Sequence, residues 1–364
     1  MGTGKTLGAR RAPRYVAAAL AAAGTSTALF GAVAQASPTH HNAVRTVASA
    51  PWRHGAVPMF GRALHTTISK HDLHYKGGTN VGGVNVGVTS GPPKVYLVFW
   101  GSQWGTQGKD SKGYATFTGD PKAEGPLLQA FFAGLGTGGE LFSGVATQYC
   151  EGVRSGLTKC PAGAKHVGYP TGGALAGVWE DTSAAEPHAA TGGQLGAEAI
   201  KGAAHFGLST QSANRDVQIF VLSPTGTDPD HYVQNGFCAW HDYTGDSSLG
   251  HESVKYVAFT NFPYVTDQKT NCGANSVNSN GPLDGVTIVS GHEYTETITD
   301  QFPAGGWLAN NGEEIGDLCA WVSKGAGRMQ DITLTTGKFA VQGEWSNAAK
   351  KGVGACAIKH PIVH

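Results

Sequence analysis

The sequence predicts one disulfide-stapled α+β domain on a mixed sheet, with a buried helix that carries the candidate functional residues. Three observations lead there. Residues 95–100 (VYLVFW) and 217–222 (VQIFVL) are apolar runs of strand length, rich in β-branched and aromatic side chains. Helical stretches at residues 126–132, 195–204 and 284–298 are interspersed with them. Six cysteines, an even number, suit a chain that matures in an oxidising compartment.

The N-terminus points to export. Lys5, Arg10, Arg11 and Arg14 precede an apolar run that reaches Val33, and Ala34-Gln35-Ala36 offers a small-residue cleavage site. A signal peptide over residues 1–36 and a secreted, extracellular protein are therefore expected. Gly, Ser and Thr interrupt the run, which argues against a membrane anchor. Arg10-Arg11 also hints at twin-arginine export. Gly2-Thr3-Gly4-Lys5-Thr6 resembles the tail of a phosphate-binding loop, but no strand precedes it and the segment is removed with the signal. Loss of residues 1–36 takes four cations and no anion, leaving 22 Lys+Arg against 26 Asp+Glu. No basic field then draws the chain to nucleic acid or, once the signal is cleaved, to a membrane.

Residues 37–75 are rich in His, Ala, Thr and Pro without periodicity, and two readings stand: a flexible leader, or a pro-segment that masks a site until it is cut. The domain is expected over residues 76–364. After the strand at 95–100, Pro126 opens a helix that the glycines near Gly136 stop. Residues to about Gly193 are Gly/Pro/Thr-rich, suggesting long loops or short strands. Residues 195–204 are a second helix, 217–222 and 254–259 two more strands, and 331–335 with 338–342 a hairpin across Thr336-Gly337. Proximity in sequence favours the pairs Cys150–Cys160, Cys238–Cys272 and Cys319–Cys356. No CxxC occurs, so a thiolate zinc site is not expected.

Chemistry concentrates in residues 284–317, DGVTIVSGHEYTETITDQFPAGGWLANNGEEIGD. The first half reads as an amphipathic helix capped by Asp284. His292 and Glu296, four apart, share one face and suit a common divalent ion, with Glu293 beside them to take a proton from a metal-bound water. The following loop returns Glu313, Glu314 and Asp317. The pair His251-Glu252 is followed by Lys255 where a ligand is needed, so the dipeptide alone carries little. His241 and Asp242, after Cys238-Ala239-Trp240, form a second polar group, and His241 is a candidate for stabilising an oxyanion. No G-x-S-x-G elbow is present, so serine hydrolase chemistry has no support. Two nearby carboxylates and eight tryptophans also fit a glycosidase, but the adjacent histidine favours metal.

Residues 289–300, VSGHEYTETITD, resemble the active-site helix of the zincin metallopeptidases, the thermolysin-like branch above all, with Glu296 where that family has its second histidine. The resemblance implies a zincin-like fold, Glu293 as general base, and zinc held by His292, Glu296 and a downstream glutamate, Glu313 or Glu314, with Glu314 favoured. Asp317 then orients His292 from outside the ligand set. Glu296 makes the set more anionic and admits another divalent metal, calcium included. A second resemblance spans about residues 75–275. VYLVFWG at 95–101 with Trp104, Phe131-Phe132 and Gly236-Phe237-Cys238 are similar to the phosphate-induced/exordium family of extracellular, growth- and cell-wall-associated plant proteins without a secure enzymatic activity. The expected function is a secreted metal-dependent hydrolase, a zincin-like peptidase acting on peptide or protein. The alternative is a non-catalytic extracellular protein bound to cell-wall material.

Overall fold

The computed structural model describes residues 1–2, 53–61, 72–250, 253–359 and 362. All but residues 1–2 of the expected signal peptide and most of the expected leader lie outside them. Residues Val47–His364 form one unit, an α+β arrangement around a mixed six-stranded sheet. Its strands are β1 (Val57–Pro58), β2 (Lys94–Trp100), β3 (Leu175–Asp181), β4 (Val217–Leu222), β5 (Phe237–Tyr243) and β6 (Ala258–Phe262). They lie in the order β1-β5-β6-β4-β2-β3. Strands β3, β2, β4 and β6 are mutually parallel, β5 runs antiparallel to β6, and β1 antiparallel to β5.

The apolar runs are apolar because both faces of the sheet are covered. Every residue of β4 is buried. Alternation sends Phe220 against Phe132 of helix α1 (Glu124–Gly134), and Gln218 of the same face donates to the Glu293 carbonyl of helix α3 (Asp284–Thr299). Helix α2 (Gly192–His205) starts at a capping box in which Thr191 and Gln194 satisfy each other's backbone N–H. Asp120 serves the start of α1, accepting from the N–H groups of Glu124 and Gly125. Pro126 falls in the first turn of α1, as its fixed φ and missing donor require.

Helix α3 departs from the amphipathic expectation: all sixteen of its residues are buried. The sheet lies on one side, and the hairpin of β7 (Gln330–Leu334) and β8 (Gly337–Val341) packs on another, with Thr287 donating to the Ala340 carbonyl at 2.6 Å. A helix this rich in Thr, Val and Ile has little intrinsic propensity, so packing holds it. Its polar side chains are absorbed locally where they can be: Thr295 and Thr299 donate to carbonyls three and four residues back. Asp284 does not cap it. Its carboxylate accepts from the N–H groups of Val277 and Asn278 and so ties down the preceding loop, while its charge still sits at the favourable helix end.

Other expectations shift or fail. The strand placed at 254–259 runs over Ala258–Phe262. The hairpin turn is Thr335-Thr336, one residue earlier than expected, because Leu334 pairs with Gly337. Strand β3 falls in the region read as long loops or short strands, and β5 forms where no strand was expected. β5 reads FCAWHDY, whose His and Asp break an apolar run, yet all but Tyr243 are buried. The leader reading of residues 37–75 does not hold for 53–61, since Val57 and Pro58 pair with Ala239 and Phe237. A further strand, β9 (Glu344–Ser346), pairs with β10 (Ala355–Ala357).

The three disulfides are those expected: Cys150–Cys160, Cys238–Cys272 and Cys319–Cys356. The second ties β5 to the segment before α3, and the third ties the loop after α3 to β10. Closing a loop of 34 residues removes about 3.8 kcal/mol of chain entropy from the unfolded state. Replacing Cys238 and Cys272 together with alanine should therefore lower unfolding free energy by about 3–4 kcal/mol, read from chemical denaturation. A loss under about 1 kcal/mol would show that this link does not constrain the unfolded chain.

Candidate functional site

Three pieces of backbone aim polar side chains at one buried place. Helix α3 supplies His292, Glu293 and Glu296, β5 supplies His241, and the loop after α3 supplies Glu314 and Asp317. The loop is set by Gln342, which donates to the Gly316 carbonyl at 2.8 Å, by the Trp345 N–H on the Ile315 carbonyl, and by the Cys319 disulfide. Gly316 must be glycine for steric reasons. A Cβ there would stand 2.8 Å from Glu296 Oε1 and from the His292 ring.

The donor atoms fall into two groups that share Glu296. In one, His292 Nε2 lies 2.8 Å from Glu296 Oε1 and 3.7 Å from Asp317 Oδ1. In the other, His241 Nδ1 lies 3.4 Å from Glu293 Oε2 and 3.5 Å from Glu296 Oε2. Across the same ring, His241 Nε2 is 3.6 Å from Glu314 Oε2. Donors about 2.0–2.2 Å from one ion stand about 2.8–3.6 Å apart, so most of these spacings are those of donors around a common cation.

Satisfaction of hydrogen bonds points the same way. Both oxygens of Glu293 and of Glu314, Oε2 of Glu296, Nδ1 of His292 and both ring nitrogens of His241 are buried without a hydrogen-bond partner among the described residues. Asp300 and Glu344, also buried, leave both carboxylate oxygens in the same condition. Each such atom costs about 1–3 kcal/mol unless something else satisfies it. Concentrated around two imidazoles, they fit a cation. With every cysteine of the domain in a disulfide, the set is nitrogen and oxygen only, suited to zinc or another borderline to hard divalent ion.

Protonation follows the same crowding. Burial would push the His292 ring down, but Glu296 and then Asp317 outweigh it and hold the ring up at about 9. Burial would raise Glu296, yet His292 and His241 keep it down at about 2. Glu293 is pushed well above the carboxylate range by burial and by the charges of Glu296 and Asp317. Burial, Glu296 and Asp300 do the same to Glu314, and burial with Glu296 brings Asp317 to about 7.

The expected trio of His292, Glu296 and Glu314 is not gathered as one group. Asp317 completes the set with His292 and Glu296, whereas Glu314 faces His241. Asp317 meets the same ring nitrogen as Glu296, not the far one, so it stands beside the donors and not behind them. Between the two adjacent glutamates, Glu314 turns inward and Glu313 outward to Asn311. His241 is more central than an oxyanion donor at the rim, while Asp242 points elsewhere, into a third group with His54 and Asp246. Glu344 and Asp300 escaped notice. Asp300 ends the quoted helix motif, and nothing local distinguishes Glu344 from a surface glutamate.

Comparison with protein-family models, curated proteins and solved structures finds no match. Among the described residues no helix is long and apolar enough to cross a membrane.

Two outcomes test this geometry. Gly316→Ala should cost about 1–3 kcal/mol through overpacking against His292 and Glu296, a fall of roughly 2–5 °C in Tm. An unchanged Tm would show that the loop does not sit on the ring. Glu314→Gln should stabilise the metal-free protein at pH 7 by roughly 1–3 kcal/mol. A carboxyl whose folded pKa is raised weakens the fold above its unfolded pKa, about 4.3. The gain should therefore vanish near pH 4, where Glu314 is protonated in both states, and a pH-independent gain would contradict the assignment.

Proposed function

We propose that the protein is a secreted metal-dependent hydrolase of zincin-like type that cleaves peptide bonds, with His292, Glu296 and Asp317 holding the ion. The observation that carries this reading is the convergence of two histidines and at least four carboxylates with most of their donor atoms unsatisfied. A bound divalent ion would polarise a carbonyl oxygen and acidify a water molecule. Glu293, next to His292 on the same helix, would accept that proton. It then returns that proton to the departing amine. His241 places Nδ1 3.4 Å from Glu293 Oε2, where its ring faces the developing oxyanion. Glu314 Oε2 faces the opposite ring nitrogen of His241 at 3.6 Å.

A second reading draws on the burial of the cluster. His241, Glu293 and Glu296 have side-chain exposures of 1%, 0% and 0%. Closure of that degree also suits a structural ion in a non-catalytic extracellular protein of the exordium type.

The two readings separate on the purified mature protein. The hydrolase reading expects stoichiometric metal by elemental analysis. It expects Glu293→Gln to keep that metal while hydrolysis of a general peptide substrate falls by about 10²–10⁴-fold. His292→Ala should lose metal and activity together. Metal without hydrolysis in any form would establish the structural ion. Absence of metal from every preparation would remove both.

A further inference from the structure

The closure of the site has a specific cause. Residues 53–60 run along the outer edge of β5 and seal it. Val57 pairs with Ala239, Met59 N–H donates to the Gly236 carbonyl at 2.9 Å, and Trp321 Nε1 donates to the Pro58 carbonyl at 2.6 Å. Pro58, lacking a donor, is tolerated because this is an edge strand. Two residues before Val57, Gly55 lies against the candidate site. A Cβ at that position would overlap the His241 ring and crowd Glu296 Oε2 at 2.5 Å, and the backbone there has φ +50°. Only glycine fits over the cluster.

Arg53 makes the other anchor. Its Nε is 2.7 Å from Asp230 Oδ2 and its Nη2 3.1 Å from Asp230 Oδ1, a paired contact of guanidinium with carboxylate. Its Nη1 reaches Ser248 Oγ at 3.2 Å, and the guanidinium carbon lies 4.9 Å from the Trp240 ring centroid. The two charged side chains are only 7% and 11% exposed. Asp230 and the next residue, His231, hold positive φ of 52° and 54°, a strained conformation for two residues that are not glycine. Strain there and a desolvated ion pair are what a shaped guanidinium pocket requires.

We propose that the outer edge of β5 is a cleft for a polypeptide that turns at an arginine two residues before glycine and then extends along the strand, and that residues 53–60 are its built-in occupant. The chain adds a strand to a sheet edge, a common way of capturing a peptide: main-chain bonds supply affinity and side-chain pockets supply choice. Arginine is read by Asp230 and Trp240, and the glycine brings the main chain against His241 and Glu296. As a substrate cleft this rests on the hydrolase reading. As a peptide-binding cleft it stands on the contacts alone. While the occupant stays, no other polypeptide reaches the cluster, so the chain carries its own inhibitor.

The test uses the full chain, stripped of metal with chelator so that binding is read without catalysis. The probe is a fluorescein-labelled peptide of residues 50–61, APWRHGAVPMFG, followed by anisotropy. Arg53→Ala removes the anchor and Gly55→Ala drives the segment off by overlap, and each alters only the occupant. Both variants should bind the probe at least tenfold more tightly than the unaltered chain. A probe with its arginine replaced by alanine should bind them at least tenfold more weakly. Equal binding of the probe by all three chains, absence of binding, or indifference to the probe's arginine would overturn the proposal. Metal content and hydrolysis are measured on the same preparations after metal is restored. Probe binding without metal or hydrolysis defeats the hydrolase reading and leaves the cleft, and the reverse result defeats the cleft alone.

Discussion

The structure depends on burying a charged helix. Helix α3 carries His292, Glu293 and Glu296 through the centre of the domain with no face to solvent. A buried carboxylate without a partner is among the costliest things a fold can hold. Here the close ion pair of His292 with Glu296 accounts for one carboxylate, Glu293 and Glu314 have only His241 at 3.4 and 3.6 Å, and Asp300 and Glu344 have no ion pair among the described residues. The covering sheet, the β7–β8 hairpin and the two disulfides flanking α3 are what make the arrangement tolerable. They fix the chain on both sides of the helix, so that the charges cannot escape to water by local unfolding without breaking the fold. A cation at the cluster would supply the missing compensation and join stability to metal binding.

The scaffold was legible where residues answer to their immediate neighbours. β2 and β4 stood out because strands buried on both faces are uniformly apolar, and the cysteine pairs followed from proximity in the chain. Helix α3 was legible as a helix, from the spacing of its residues, but not as a fully buried one. Periodicity looks for one apolar stripe, and here polar groups sit on every face of a helix that is covered from every side. β5 was invisible for a related reason. Its His241 and Asp242 interrupt the apolar run, and the partners of His241, Glu293, Glu296 and Glu314, lie more than fifty residues away. The site was therefore half legible. Its helix could be named, while the choice between Glu313 and Glu314, the placing of Asp317 beside His292, and the part played by His241 depend on how a loop and a strand meet that helix.

Residues 53–60 were the least legible of all, because their order comes from the surface they cover. Arg53, Gly55 and Pro58 have no periodicity, yet each fits one feature of the β5 edge: a carboxylate, a crowded imidazole, and a strand side that asks for no donor. A sheet edge left bare invites pairing with other chains. Covering it with the protein's own segment protects the edge and closes the charged centre in one step.

The central claim is that the buried cluster is a cation site, and X-ray absorption at the metal edge of the purified protein tests it most directly. The account predicts a shell of nitrogen and oxygen donors at about 2.0–2.2 Å with imidazole scattering and no sulfur, lost when His292 is replaced by alanine. A protein without stoichiometric metal, or a spectrum unchanged by that replacement, would contradict it.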